Sequence, residues 1–291
     1  MSSITHEIDS QPSCWRAAAG LVAAAAELLP HGGRAVLVGC GTSYNVALAL
    51  ASLREARGLG ETDAFTASEM PSGRRYSHLL AISRSGTTTE VQRLLASVGP
   101  DTRTAVITAV SATPITDAAE RSLVLDFVDE RAVVQTRFAT TVVALLRAHF
   151  GEDIAPVAAE LERALSAPLP VEVERFRQFV FLGRGWTVGL AHEAALKVRE
   201  AAAAWAESYP AMEFRHGPIS VPDEDSLVWS LGEVEPELLA EAEATGATVV
   251  ADGLDPLAEL VQAQRLAVEL AARRGLDPDS PRRLSRSVVL A

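Results

Sequence analysis

Two stretches of this chain can be laid over one another, and together they leave little choice of fold. "RAVLVGCGTSYNVALALASL", starting at Arg34, reads as an apolar strand, a Gly-x-Gly turn and a run with helical spacing. "QFVFLGRGWTVGLAHEAALK", starting at Gln178, repeats that order. "HLLAISRSGTTTEVQRLLA" lies over "SLVWSLGEVEPELLAEA" in the same way, and "RTAVITA" over "ATVVADG". Strands that alternate with helices and end in glycine belong to parallel sheets covered on both faces. Repeated with a period near half the chain, they predict an α/β fold of two tandem doubly wound subdomains with parallel, flavodoxin-like sheets.

The remaining segments fit this plan. "DAAERS" and then "LVLDF" continue the alternation, and "QTRFATTVVALLRAHF" reads as a long helix closing the first half. From Ile154 to Glu174 the chain turns Ala-, Pro- and Glu-rich with one helical stretch, which suits a connection. The expected division is residues 1–165 and residues 166–291. A chain of 291 residues that is 48% hydrophobic gives both halves an ample core.

Charge and cysteine content narrow the function classes. A formal net charge of −12 argues against a nucleic-acid or anionic-membrane partner, and Arg282, Arg283 and Arg286 are too few to reverse it. Cys14 and Cys40, the only cysteines, cannot build a disulfide scaffold or a zinc site. No metal or cofactor is expected, since HExxH, Cys–His and Walker patterns are missing. The alanine-rich run from Ala17 to Leu29 is too short for a bilayer and lacks a basic flank, so a soluble cytoplasmic protein is the expectation. Of 26 basic residues a single one is lysine, Lys197. It is either a survivor of a bias towards arginine or a group kept for chemistry that arginine cannot do.

The two halves differ where their strands end. Ser83, Arg84, Ser85 and Gly86 in the first half face Ser230, Leu231, Gly232 and Glu233 in the second. Hydroxyls at a strand end that opens a helix place side-chain donors and free N–H groups at the positive end of the helix dipole, which suits an anion. The simpler reading is a helix cap by Thr87 or Thr88 with Glu90 completing a capping box. Thr42 and Ser43 offer a second hydroxyl-rich strand end in the same half, which favours the anion seat. Glu233 and Glu235 would repel an anion, so one seat per chain is expected.

The segment from Ala191 to Pro218 holds the other candidates. On a helix, Glu193, Lys197 and Glu200 are spaced i, i+4 and i+7 and share a face. They form either a solvated salt-bridge ladder or, beside the apolar Leu190, Ala194 and Val198, a proton shuttle in a cleft. His216 stands before Gly217 and Pro218, as a loop residue or an acid–base group. His6, His31, His78, His149 and His192 have no comparable setting.

The motifs "GCGTSYNVALA", "ISRSGTTTEV", "FLGRGWTVGLAHEAALKVRE", "ESYPAMEFRHGP" and "DPDSPRRLSRSVVL" resemble those of the sugar-isomerase (SIS) domain family, and the opening "HEIDSQP" is similar to the usual start of that group. The likeness is to the isomerase portion of glucosamine-6-phosphate synthase and to galactosamine-6-phosphate deaminase/isomerases, and it covers nearly the whole chain. It implies two SIS subdomains in a homodimer. It also implies that Ser43, Ser83, Arg84, Ser85 and Thr88, with Thr42 nearby, hold the phosphate of a sugar 6-phosphate, while Val133 and Gln135 touch the sugar. Glu200 matches the carboxylate that moves a proton between C1 and C2. Lys197 matches an ammonium near the reacting hydroxyls, and Glu193 a supporting carboxylate. His216 matches a ring-opening histidine that in the family often comes from the neighbouring subunit.

Two departures stand out. The SIS-like region begins almost at once, so glutamine is not expected to be the ammonia source within this chain. Arg286 stands where the synthase has an imine-forming tail lysine, and a guanidinium stays protonated and cannot attack a ketose. That leaves Lys197 as the only ε-amine available for such a route and makes Arg286 a substrate-binding candidate. The expectation is therefore a sugar-phosphate isomerase/deaminase acting on an amino-sugar 6-phosphate. A fructosamine-6-phosphate deglycase uses the same chemistry, and a non-catalytic phosphosugar-binding regulator is the alternative from another class.

Overall fold

A computed structural model describes residues 2–290. The chain divides into two compact units that interleave in sequence. The first comprises Ser10–Glu130, Arg137–Ala155 and the tail from Ser285, and the second comprises the N-terminal stretch through Asp9, Arg131–Thr136 and Pro156–Leu284.

The chain begins with helix α1 (Ser3–Asp9), which belongs to the second unit; α2 (Gln11–Ala19) and α3 (Val22–Leu28) open the first. Five strands follow: β1 (Ala35–Gly39), β2 (Thr62–Thr66), β3 (His78–Ile82), β4 (Arg103–Thr108) and β5 (Arg121–Val124). All pair in parallel in the order β2-β1-β3-β4-β5, the flavodoxin arrangement. Between them run α4 (Thr42–Ala56), α5 (Thr89–Ser97) and α6 (Pro114–Ala118), and α7 (Arg137–His149) packs against α2, α3 and α4. Val36, Val38, Leu79, Ala81 and Val106 form one apolar face, closed by Val91, Leu95 and Ile115 from α5 and α6. Helix α8 (Ile154–Ser166) leads into the second unit.

That unit repeats the pattern with β6 (Gln178–Gly183), β7 (Trp205–Pro210), β8 (Ser226–Leu231) and β9 (Thr248–Val250), ordered β7-β6-β8-β9 and again parallel. The helices are α9 (Thr187–Ala202), the short α10 (Ala211–Phe214), α11 (Pro236–Glu243) and α12 (Pro256–Arg273). One face of the sheet is closed by Phe214, Leu238 and Ala242, while α9 and α12 pack on each other and on the strands. The duplication extends to the strand–helix joint. A Cβ on Gly39 would stand 2.5 Å from the Ser43 carbonyl carbon, and one on Gly183 would stand 2.4 Å from the Thr187 oxygen. Both joints demand glycine for the same reason, that the next helix begins in contact with the strand end.

The sequence missed β2 and β7, the edge strands next to β1 and β6. "TDAFT" and "WAESYP" are half-buried and carry no apolar run, and the second continues directly from a segment with helical spacing. No described helix is long and apolar enough to cross a membrane.

Candidate active site

In the first unit the strand order reverses between β1 and β3, so a crevice opens at their carboxyl ends, the place where doubly wound sheets take their ligands. Thr42 and Ser43 begin α4 there, both 4% exposed, after Gly41 at φ 56°. The loop from Ser83 to Thr88 leaves β3 beside them. The Ser83 hydroxyl is buried and has no hydrogen-bond partner among the described residues. Thr88 occupies the N-cap position of α5, yet its side chain makes no capping hydrogen bond. The capping box expected as the simpler reading is therefore not formed, and both hydroxyls stand at a helix N-terminus.

The tail completes this loop, which the sequence did not reveal. Ser85 Oγ donates to Ser287 Oγ at 3.1 Å, and Thr87 Oγ1 does so at 3.0 Å. The Thr89 N–H donates to the Val288 carbonyl at 3.2 Å, and the Leu290 N–H to Thr89 Oγ1 at 2.9 Å. Arg84 is 2% exposed and does not point its charge outward. Its guanidinium lies 3.7 Å from the buried Glu130 carboxylate and donates to the Arg286 carbonyl at 3.0 Å. Arg286 in turn binds the Glu130 carbonyl and the Asp129 carboxylate. Arg84 and Arg286 thus join the tail to the loop and to the 129–130 turn.

Glu130, absent from the sequence candidates, also accepts the Arg137 N–H at 2.9 Å and so fixes the start of α7. Val133 and Gln135 belong to the second unit. Glu7 accepts the Arg131 N–H at 2.6 Å, and the Val133 N–H reaches the Asp279 carbonyl at 3.1 Å. The Asp279 carboxylate accepts the Ser3 and Ile4 N–H groups, both at 2.8 Å. "HEIDSQP" and "DPDSP" thereby hold the 131–136 segment, a role invisible in their spacing. Gln135 Oε1 is buried without a hydrogen-bond partner among the described residues.

The acid–base candidates sit on α9. Its Ala, Leu, Glu and Lys content favours helix, and Leu190, Ala191, Ala194, Ala195 and Val198 are fully buried. Glu193 and Lys197 are 0% and 1% exposed, so the solvated-ladder reading fails. Lys197 Nζ lies 3.2 Å from Glu193 Oε1 and 2.6 Å from Glu200 Oε2. Burial alone would lower the Lys197 pKa, but the charges and hydrogen bonds of Glu193 and Glu200 outweigh it and raise it. Lys197 is therefore a fixed ammonium between two carboxylates. It can steady a developing oxyanion, and it is badly placed to act as an imine-forming nucleophile. Of the three, Glu200 alone keeps an accessible side chain, at 22%. A carboxylate held against an ammonium and open on one side can accept and return a proton.

Glu200 opens on a cavity of about 410 Å³ formed by the end of α9 and the 275–284 segment after α12. His216 is not brought to it. Glu200 precedes β7 and His216 follows it, so the length of a six-residue strand, about 20 Å, lies between their ends. The histidine is exposed, and its N–H donates to the Glu213 carbonyl. Among the described residues, no group of three or more His, Cys, Asp or Glu is placed to hold a metal ion.

No family model matches the chain. A glutamine–fructose-6-phosphate aminotransferase (isomerizing) of Gloeobacter violaceus is 29% identical over 322 residues, covering 88% of this chain and 52% of that protein. The chain spans about half the length of that relative. Among solved structures, a glucosamine-6-phosphate deaminase from Thermotoga maritima is 27% identical, with a TM-score of 0.86 over 99% of this chain and 100% of that one. The C-terminal domain of glucosamine-fructose-6-phosphate aminotransferase from Francisella tularensis shares the fold, with a TM-score of 0.83 at 21% identity over 96% and 98% of the two chains. In sequence and in fold, the chain is a relative of the sugar-isomerase (SIS) proteins, as its own motifs imply.

Proposed function

We propose that this chain is an aldose–ketose isomerase of an amino-sugar 6-phosphate that couples proton transfer between C1 and C2 to loss of the amine. The carrying observation is the buried Glu193–Lys197–Glu200 cluster, in which one carboxylate of the three groups is left accessible. Burying a carboxylate and an ammonium is costly unless the arrangement is used, and a structural ion pair would not need a second carboxylate left partly open. Glu200 takes the proton from one carbon and returns it to the other through an enolamine. Lys197 stabilises the oxygen charge that develops, and Glu193 keeps Lys197 protonated and in place.

Thr42, Ser43, Ser83, Ser85 and Thr88 supply the hydroxyls for the phosphate, and Arg84 and Arg286 order the tail around them. Val133 and Gln135 touch the sugar. A second copy of the chain supplies its own His216 to open the ring, since the histidine within one unit lies beyond the far end of β7; this makes the working form a homodimer. The likeness to the Thermotoga deaminase supports the amine-releasing direction, and nothing in the reading requires ammonia from glutamine.

The test is incubation in D₂O with hexosamine and ketose 6-phosphates, following deuterium entry at C2 and amine release. Wild type is expected to do both. Glu200→Gln is expected to bind the sugar phosphate and exchange no proton. Exchange retained by Glu200→Gln would move the base elsewhere, and binding without exchange by wild type would make the protein a phosphosugar-binding regulator.

A further inference from the structure

The loop that forms the anion seat carries an arginine whose terminal nitrogens are committed elsewhere. Arg84 stands between Ser83 and Ser85, and the family resemblance gives it a direct hold on the phosphate. Such a hold uses the guanidinium as a fork, with two nitrogens donating to two oxygens of the anion. In Arg84 both terminal nitrogens are directed at protein groups. Nη1 lies 3.7 Å from Glu130 Oε2, and Nη2 donates to the Arg286 carbonyl at 3.0 Å. The pair is sealed from water, its two side chains being 1% and 0% exposed.

Glu130 is fixed from its other side as well. Its Oε1 accepts the Arg137 N–H at 2.9 Å, at the start of the 13-residue helix α7, where the helix dipole favours a carboxylate. Its carbonyl accepts from Arg286, whose guanidinium also pairs with the Asp129 carboxylate. Residues 129 and 130 thus supply one carboxylate to each of the two arginines that could have held a phosphate. What the loop keeps for an anion is neutral. The Ser83 hydroxyl has no hydrogen-bond partner among the described residues, and Thr88 makes no side-chain cap at the N-terminus of α5. A buried ion pair is often no more stabilising than apolar groups of the same shape, so stability alone does not account for this one.

We propose that Glu130 is the positioning residue of the anion seat and sets its affinity. Its carboxylate cancels the Arg84 charge and turns the guanidinium onto the tail, so that hydroxyls and N–H groups hold the phosphate with no cation in contact. The proposal rests on the reading of this loop as the phosphate seat and adds how tightly that seat holds its ligand. Neutral donors at a helix N-terminus are enough to bind a phosphate. An uncompensated guanidinium beside them would bind it more tightly and slow the release of product. Glu130 therefore trades affinity for turnover, and it does so without touching the ligand.

The test is calorimetric titration with inorganic phosphate and with glucosamine 6-phosphate of wild type, Glu130→Gln and the double variant Arg84→Gln/Glu130→Gln. Glutamine at 130 keeps a carbonyl for the Arg137 N–H and removes only the charge. Damage to packing would weaken binding, so the sign of the change is the informative readout. Glu130→Gln is expected to bind both probes about tenfold more tightly, the order of effect that one uncompensated charge at the margin of a partly buried site has on an anion. The double variant has lost both charges and is expected to bind within about threefold of wild type. Binding by Glu130→Gln that is no tighter than wild type would overturn the proposal. So would a double variant weaker than wild type by about tenfold or more, since Arg84 would then be touching the phosphate itself. Should Glu130→Gln fail to fold, the double variant, which leaves neither charge of the pair unmatched, decides alone. In each of these outcomes wild type still binds and the seat stands. If wild type binds neither probe, the phosphate-seat reading fails and this proposal with it.

Discussion

Replacing Glu259 by glutamine is expected to change how the stability of this protein depends on pH. Glu259 lies in the first turn of α12 and is 1% exposed. Its Oε2 accepts the indole N–H of Trp229 at 2.7 Å, and its Oε1 accepts the Leu254 N–H at 3.3 Å. Burial pushes its pKa up from 4.5 to about 7; the hydrogen bonds from Trp229 and Leu254 offset only part of this, and Asp252 and Glu160 add repulsion. In the unfolded chain the same carboxyl ionises near 4.5. Between these values the folded state holds a proton that the unfolded state has released, so stability falls as pH rises through this window and levels off above about 7. At about 1.36 kcal/mol per tenfold change in ionisation, the full loss is about 3 kcal/mol.

Glutamine does not titrate, and its carbonyl can still accept from Trp229. Its amide meets the Leu254 N–H donor to donor, which costs about 1 kcal/mol. Urea denaturation of both proteins at pH 5 and pH 8 measures the effect. Other groups titrate over the same range, so the informative quantity is the difference between the two proteins. Wild type should lose about 2 to 3 kcal/mol more than Glu259→Gln on going from pH 5 to pH 8, and the variant should be the more stable at pH 8. Parallel pH dependences would refute the reasoning and would mean that water reaches the carboxyl in solution.

Two further perturbations test the packing around the candidate site. Lys197→Met removes the ammonium between the fully buried Glu193 and Glu200, and breaking a buried ion pair from one side should cost about 3 to 5 kcal/mol in the urea midpoint analysis. Adding Glu193→Leu should restore most of that stability, and failure to do so would mean the cost lies in packing. Gly183→Ala places a Cβ 2.4 Å from the Thr187 oxygen and should cost about 1 to 3 kcal/mol, read as a lowered melting temperature. An unchanged melting temperature would show that α9 can draw back from β6.

What the sequence could carry was decided by burial and by sequence distance. The strands β1, β3, β4, β6 and β8 are buried almost throughout and read as continuous apolar runs. The edge strands β2 and β7 are only partly buried and stand in polar or helical company, so the same criterion passed over them. Helical spacing alone is enough to put Glu193, Lys197 and Glu200 on one face of α9. It does not show that two of the three are sealed from water, because that depends on α12 and the sheet packing around them. The tail is less legible still. Ser287 meets Ser85 across 202 residues and Asp279 meets Ser3 across 276, and no local pattern announces contacts of that range. Arg286 stands out as a departure from a family lysine, yet its partners, Asp129 and Glu130, do not follow from the departure.

The two halves share an architecture but differ in the side chains at their strand ends. Both keep the glycine at the strand–helix joint, which sterics enforce. At the β3 end the first half presents hydroxyls, with the Ser83 hydroxyl buried and without a partner among the described residues. The corresponding β8 end carries Glu233 and Glu235, and Glu235 pairs with Arg184 at 2.9 Å. Glu233 and Asp255 line the cavity at that strand end and would repel an anion there. The carboxyl edge of the second sheet is thus closed to phosphate by its side chains, although its backbone is equivalent. The buried Glu193–Lys197 pair and the accessible Glu200 of that unit sit instead on α9, with Glu200 three residues before the cap at Ala203, towards the amino end of β7. In the proposed function, the chemistry would therefore use opposite ends of the same strand–helix unit, the helix N-terminus in one copy and the helix C-terminus in the other. The helix dipole gives this a physical basis, since a helix N-terminus favours an anion and a helix C-terminus favours a cation.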